Sequence, residues 1–189
     1  HEASPFMILF AAFAALLSRL TRERDIVVGT VSANRDLPRF KNTVGLFANT
    51  IPIRIDVLPE DHFHELVGRT RCALLDAHDH CRLPFEEIVK SANPARSNAH
   101  LPVVQVMMVF QEGPTPLPRL PGVVATEVTV HTGASKFDLL FELHQSQNGY
   151  EGWLEFNADI LDVARARRIV EQYDRLLDSA ISDSDRKST

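Results

Sequence analysis

The sequence is poor in the features that mark several specialised classes of protein. Only two of its 189 residues are cysteines, Cys72 and Cys81, which excludes a small domain held together by several disulfides. One predicted helix carries both cysteines, nine positions apart and so on opposite faces, which argues against a disulfide between them. We therefore expect a reducing compartment and a cytoplasmic location.

Long apolar runs and long basic runs are also missing. The apolar stretch at 5–17 is too short to span a bilayer. The formal net charge of −5 gives no attraction to nucleic acid or to an anionic membrane surface, and no basic run is longer than the RARR at 165–168. We expect a soluble protein whose partners include neither nucleic acid nor membrane.

The common motifs of catalysis and cofactor binding are absent. The sequence contains no G-x-x-x-x-G-K-[ST], G-x-G-x-x-G, G-x-S-x-G or H-E-x-x-H. His78, His80 and Cys81 lie close together near the end of a predicted helix, but helical side chains two positions apart point about 200° apart and do not converge on one metal ion. We expect neither a metal site nor a catalytic residue in this chain.

The hydrophobic pattern predicts helices packed on a sheet. Ser4 as N-cap and Pro5 in the first turn predict a buried helix over 5–20. The continuous apolar run at 25–33 predicts a strand buried on both faces, and the alternation at 49–57 predicts a strand near a sheet edge. The remaining predicted elements are a helix capped by Asp61, a short helix from Pro84, strands at 103–110, 123–130, 136–145 and 149–158, a helix at 162–181 and a disordered tail at 183–189.

The order of these elements favours one fold class. It lacks the regular strand–helix alternation of a doubly wound fold. We predict an α+β fold, a mixed β-sheet with helices packed on it.

Two segments carry a resemblance to a known family. Residues 43–54, TVGLFANTIPIR, match the pattern (I/V)-G-x-F-V-N-T-x-x-x-R with Ala48 in place of Val, and residues 80–89, HCRLPFEEIV, match part of H-Q-D-x-P-F-E. Both patterns resemble motifs of the condensation domains of nonribosomal peptide synthetases. The matching residues are Val44, Gly45, Phe47, Asn49, Thr50 and Arg54 in the first segment and His80, Pro84, Phe85 and Glu86 in the second. The segments 25–35, 96–111, 132–143 and 154–162 resemble other parts of the family sequence in the same order.

The resemblance covers only the C-terminal half of such a domain. The family's catalytic H-H-x-x-x-D-G motif belongs to the N-terminal lobe, and this sequence has no two adjacent histidines. We therefore expect the catalytic histidine upstream of His1. The resemblance implies that residues 1–182 form one lobe of a two-lobed fold like that of chloramphenicol acetyltransferase.

The same resemblance implies partners and a reaction. A tunnel between the lobes admits the phosphopantetheine arms of donor and acceptor peptidyl carrier proteins, and an amide bond forms between their thioesters. No cofactor is expected to bind this chain directly, since the arm belongs to the carriers. The expected partners are the N-terminal lobe, the two carriers and neighbouring synthetase domains, and the lobe alone is expected to be inactive.

Individual roles follow from the matched positions. Asn49 either orders the loop and the tunnel wall, together with Arg54, or only closes its own turn. Gly45 is expected to supply a backbone angle or a close approach that other residues cannot. Phe47 and Phe85 are interpreted as core residues. The segment 132–136, which includes Ser135, is expected to face the missing lobe.

Two departures from the family pattern leave the function open. The H-Q-D triplet is here His80, Cys81 and Arg82, and the last motif, R-x-x-S-R-N-P-L, keeps Arg96 but has His100 near its end, an imidazole that cannot make the forked contacts of arginine. Three functions stay open. They are half of an amide-forming domain, a lobe of a carrier- or CoA-dependent acyltransferase that forms esters, and a degenerate domain that recruits a carrier or tailoring protein.

Overall fold

A computed structural model describes residues 3–35, 37–94, 101–113, 117, 120–126, 128, 130, 133–146 and 149–182. Within these residues the chain forms four α-helices and five β-strands. In chain order they are α1 (Pro5–Thr21), β1 (Asp25–Ser32), β2 (Asn49–Asp56), α2 (Phe63–Asp79), α3 (Phe85–Ala92), β3 (Val106–Gln111), β4 (Leu139–Ser146), β5 (Gly149–Phe156) and α4 (Val163–Ser182).

The five strands form one mixed sheet in the order β2-β1-β3-β4-β5. Strands β1 and β2 pair antiparallel, with Asp25 opposite Asp56 and Ser32 opposite Asn49. Strand β3 runs parallel to both β1 and β4, and β5 pairs antiparallel with β4. The predicted α+β class is therefore confirmed, with the 103–110 segment central and the proline-containing strand at an edge.

The common direction of β1, β3 and β4 gives the sheet two distinct ends. One end is where these three strands finish, and Ser32 and its partner Asn49 lie there. The other end is where the strands begin, and Asp25 and Leu139 lie there. The predicted site residues divide between these two ends.

Helix α1 forms the centre of the core. Residues 9–17 are all buried, as expected for a helix that is apolar on every side. The Met7 N–H donates to the Ser4 hydroxyl at 3.4 Å and Pro5 occupies the first turn, so the predicted N-cap is confirmed. Helices α2 and α4 and strand β1 pack against this helix, whereas α3 packs on β2.

An aromatic cluster joins α1 to β4 and α4. The Phe141 ring lies 4.8 Å from that of Tyr173 in an edge-to-face arrangement and 5.4 Å from that of Phe13. The buried Tyr173 hydroxyl donates to the Leu9 carbonyl at 2.9 Å. Burial raises the pKa of Tyr173, so this donor keeps its proton and the hydrogen bond persists at every ordinary pH.

The start of α2 differs from the prediction. His62, and not Asp61, is the N-cap, and its N–H donates to the Glu65 carboxylate at 2.7 Å. The buried Asp61 instead accepts hydrogen bonds from the Arg69 guanidinium, which holds the pKa of that carboxyl below its usual value. An aspartate just before a helix can cap the helix or pair with a basic side chain. Here it pairs with an arginine two turns along the helix.

The strand predicted at 123–130 is wrong over the described part of that segment. Only an isolated bridge between Leu120 and Val123 occurs there, and Val124, Val128 and Val130 are 90%, 75% and 80% exposed. Apolar alternation predicts that one face will be buried, but a strand forms only when a neighbouring strand pairs with it. The prediction for 183–189 lies outside the described residues.

Smaller differences concern the cysteines and the membrane. Cys81 lies beyond the end of α2 and not within it, and both Cys72 and Cys81 are free thiols. Among the described residues, no helix combines the length and apolar character that crossing a bilayer demands.

We expect Tyr173→Phe to lower the free energy of unfolding by about 1 kcal/mol, because it removes one buried hydrogen bond and keeps the ring packing. Urea unfolding followed by circular dichroism measures the change. The matched control is Tyr150→Phe, since Tyr150 is 44% exposed. Equal effects of the two substitutions would contradict a specific role for the Tyr173 hydroxyl.

Candidate functional site

Asn49 connects the two family motifs in space. Its side-chain amide donates to the carbonyl of Cys81 at 2.9 Å and to that of Leu83 at 2.7 Å. Its side-chain carbonyl accepts from the N–H of Phe85 at 3.2 Å. Both hydrogens and the oxygen of the amide are therefore used. All three partners lie in the second motif, so Asn49 orders a neighbouring segment and does not close its own turn.

The second motif is a tight connection between two helices. His80 ends α2, and its ring Nδ1 lies 2.8 Å from the Asp76 carbonyl. Pro84 is the N-cap of α3. Glu86 is exposed in the first turn of α3, where the helix dipole favours a negative charge. Because its backbone groups bond to Asn49, this connection is fixed to the start of β2.

The loop before Asn49 is held by aromatic and backbone contacts. Gly45 has φ of +156°, and a Cβ placed there would lie 3.3 Å from the Phe47 ring. The predicted need for glycine, a backbone angle or a close approach, is met by both features. Phe47 is half-buried with its ring 5.1 Å from that of Phe40, and Phe85 is also half-buried. Neither Phe47 nor Phe85 belongs to the main hydrophobic core, so their interpretation as core residues is wrong.

Sequence reasoning missed Arg35, which organises this same loop. Its guanidinium donates to the carbonyls of Phe40 and Thr43, each at 2.7 Å, and of Gly45 at 3.0 Å. Its Cζ lies 4.5 Å from the centre of the Phe47 ring. The only signal in the sequence is the position of Arg35 in the segment that precedes the first motif.

Arg54 lies away from Asn49. Its guanidinium makes two hydrogen bonds of 2.7 Å to the Asp25 carboxylate, and both side chains are exposed. These bonds hold the pKa of the Asp25 carboxyl below its usual value. Asp25 begins β1, so the pair lies at the opposite end of the sheet and does not order the loop. Thr50 is half-buried on β2 opposite Val31.

A cleft of about 550 Å³ lies at the end of the sheet where β4 begins. It is lined by 133–135, which includes Ser135, and by 153–159 from the end of β5 onward. The Ser135 hydroxyl donates to the Phe137 carbonyl at 2.5 Å, which fixes the approach to β4. The structure therefore brings Asn49 to the second motif but leaves Ser135 at the other end of the sheet.

The remaining observations concern the last family motif and metal binding. Arg96 and His100 lie outside the described residues. Within the described ranges, no three His, Cys, Asp or Glu side chains are grouped closely enough to hold a metal ion.

Comparison with known proteins decides the family. The family model described as Condensation domain matches residues 1–189. The chain belongs to the condensation-domain family. It is 37% identical, over 98% of its length, to a dimodular nonribosomal peptide synthase of Bacillus subtilis (strain 168), of which it spans 8%. The chain is thus part of a condensation domain of the nonribosomal peptide synthetase type.

Solved structures confirm the fold. The condensation domain of the Monacolin K polyketide synthase MokA superposes with a TM-score of 0.87 at 21% identity, over 100% of this chain and 44% of that one. The X-domain in complex with OxyB from teicoplanin biosynthesis superposes with a TM-score of 0.85 at 31% identity, over 100% of this chain and 42% of that one. The chain therefore corresponds to one lobe of the chloramphenicol acetyltransferase-like fold and spans less than half of each of these two relatives.

We expect Asn49→Ala to lower the free energy of unfolding by about 1–2 kcal/mol, because three backbone groups of the second motif lose their partner. Hydrogen exchange of the Phe85 amide should accelerate at the same time. Asn42→Ala, a substitution at an exposed position of the preceding loop, is the control and should change stability by less than about 0.5 kcal/mol. Unchanged exchange at Phe85 in Asn49→Ala would contradict the connection.

Proposed function

We propose that residues 1–182 are the C-terminal lobe of a condensation domain that joins two carrier-bound thioesters through an amide bond. The amine of the acceptor aminoacyl thioester attacks the donor thioester carbonyl, a C–N bond forms, the C–S bond breaks, and the amine proton passes to the released thiolate. The single observation that carries the proposal is the set of three hydrogen bonds by which the Asn49 side chain joins the two family motifs. Holding two reactants in line can lower the activation barrier by about 7–11 kcal/mol. A lobe that only positions the reactants therefore contributes to the rate.

The proposal assigns the chemistry and the cofactor to partners. The H-H-x-x-x-D-G motif is expected on the N-terminal lobe, so this lobe alone is inactive. Phosphopantetheine belongs to the donor and acceptor carrier proteins, and neighbouring synthetase domains complete the assembly. The proposal is supported by the share of the solved relatives that the chain spans, 42% and 44%, which leaves room for a second lobe.

The exposed valines fit a missing partner surface. Val124, Val128 and Val130 place apolar side chains in water on one segment, and such patches mark surfaces that are covered in an assembly. The cleft beside Ser135 fits the expectation that 132–136 faces the missing lobe.

The parent domain tests the function. Asn49→Ala in the two-lobed parent should lower amide formation between loaded carriers by about tenfold or more, since a displaced motif misplaces the reactants. The fraction of folded protein should fall much less. Product formation is followed by mass spectrometry of the carrier-bound peptide, with Asn42→Ala as control. A loss of activity that follows unfolding alone would assign Asn49 a purely structural role, and product only with a hydroxyl acceptor would favour ester formation.

A second candidate is recruitment of a tailoring protein. It is favoured by the 31% identity to an X-domain solved in complex with OxyB, against 21% to the MokA condensation domain. The upstream sequence separates the two candidates, because an intact H-H-x-x-x-D-G favours amide formation and a broken one favours recruitment. Co-purification of the parent with a tailoring enzyme, and no condensation product, would support the second.

We expect the isolated chain to self-associate, because the exposed valine segment lacks the cover that a second lobe would give. Light scattering over a concentration series measures the mass. Val124→Ser together with Val130→Ser should shift the distribution toward the monomer. A purely monomeric profile of the unaltered chain at high concentration would contradict the expectation.

A further inference from the structure

We propose that Arg35 is a positioning residue for the condensation reaction, acting by holding the loop at 37–48 in one shape against Asn49. The inference rests on the proposed function of the parent domain. It adds a residue outside both motif segments that the sequence matches.

The geometry around Arg35 is a fork with three acceptors. Its Nη1 donates to the carbonyls of Phe40 and Thr43, and its Nη2 donates to that of Gly45. The planar guanidinium also lies over the Phe47 ring at 4.5 Å. Only arginine offers several donors in one rigid plane together with a face that stacks on an aromatic ring. One side chain thus bonds to three carbonyls of the loop and packs on one of its rings.

Apart from Arg35, the loop is held by short-range contacts of its own. These are backbone hydrogen bonds within 37–43, the Thr43 hydroxyl on the Arg39 carbonyl and the Phe40–Phe47 ring contact. None of residues 38–46 is buried, so packing against the core does not fix the loop. Val44 is 100% exposed and Leu46 is 91% exposed, although apolar side chains on an unrestrained loop gain by turning inward. Arg35 bonds to the backbone on both sides of Val44, at Thr43 and Gly45, and so fixes the backbone that carries the outward-directed Val44 side chain.

The middle and the C-terminal end of the loop are fixed by different residues. Arg35 holds its middle, and Asn49 fixes its end to the second motif through Cys81, Leu83 and Phe85. A loop fixed in this way presents a surface of constant shape at the end of the sheet where β1 finishes. In a reaction that depends on placing two tethered groups in line, a displacement of about 1 Å costs up to about a hundredfold in rate.

The test uses the two-lobed parent with loaded donor and acceptor carriers. Arg35→Gln and Arg35→Lys are compared with Arg39→Gln, a matched control because Arg39 lies on the same loop and contacts the Phe40 ring. We measure kcat, KM for each carrier, the thermal midpoint, and the rate at which thermolysin cuts the loop at Leu46 and Phe47.

The expected result separates positioning from folding. Arg35→Gln should lower kcat by about tenfold or more, change KM by less than about threefold, and speed thermolysin cleavage, while the thermal midpoint stays within a few degrees. Arg35→Lys should behave alike, because one ammonium group cannot replace the fork. Arg39→Gln should match the parent in every measurement.

Several results would overturn the inference. A kcat for Arg35→Gln within twofold of the parent would do so, as would full activity of Arg35→Lys or an equal loss in Arg39→Gln. If Arg35→Gln does not fold, Arg35→Lys decides the question by the same criteria. Failure of the proposed function looks different, because the unaltered parent then makes no amide product and the inference falls with it.

Discussion

The hydrogen bonds of one amide side chain join the two segments of this lobe that carry the family's motifs. Asn49 stands at the start of an edge strand, and its donors and acceptor are satisfied by backbone groups 32 to 36 residues further along the chain. Buried or half-buried amides of this kind stabilise by modest amounts individually, but an unsatisfied amide costs more than a made bond gains. The α2–α3 connection therefore has one preferred position relative to the sheet.

Residues of one motif lie at opposite ends of the sheet, although they are close in the sequence. Asn49 and Arg54 are five residues apart on one strand, which corresponds to roughly 17 Å. Arg54 consequently pairs with Asp25 at the far end, while Ser135 and its cleft lie at that end too, across the sheet beside β4 and β5. A lobe of this shape offers two separate surfaces to its surroundings, one built on loops and one built on a cleft.

Much of the fold could be predicted because it depends on local burial. The Ser4 cap, the wholly apolar α1 and the alternating β2 each follow from residues that are neighbours in the sequence. The strand at 123–130 failed because apolar alternation indicates that a face will be covered without indicating what covers it. Asp61 failed because the competing partner, Arg69, lies eight residues away on the helix that it was expected to cap.

The candidate site was predictable in its residue types and not in its contacts. Family resemblance identified Asn49, but its acceptors are backbone carbonyls, and no side-chain pattern in a sequence reveals those. Arg35 was not predicted for the same reason, since all three of its acceptors are backbone carbonyls of the loop at 37–48. Backbone-directed bonds become visible only when the chain path is known.

The same distinction explains how the departure at 81–82 affects the lobe. Asn49 binds the Cys81 and Leu83 carbonyls and not their side chains, so replacing the family's Gln-Asp by Cys81-Arg82 leaves this connection unchanged. The Cys81 side chain is buried and Arg82 is exposed. The substitution therefore alters what the connection presents outward, a positive charge where the family has a negative one. A change of partner follows from such a reversal more readily than a loss of structure, because exposed charges govern encounter and specificity while contributing little to folding.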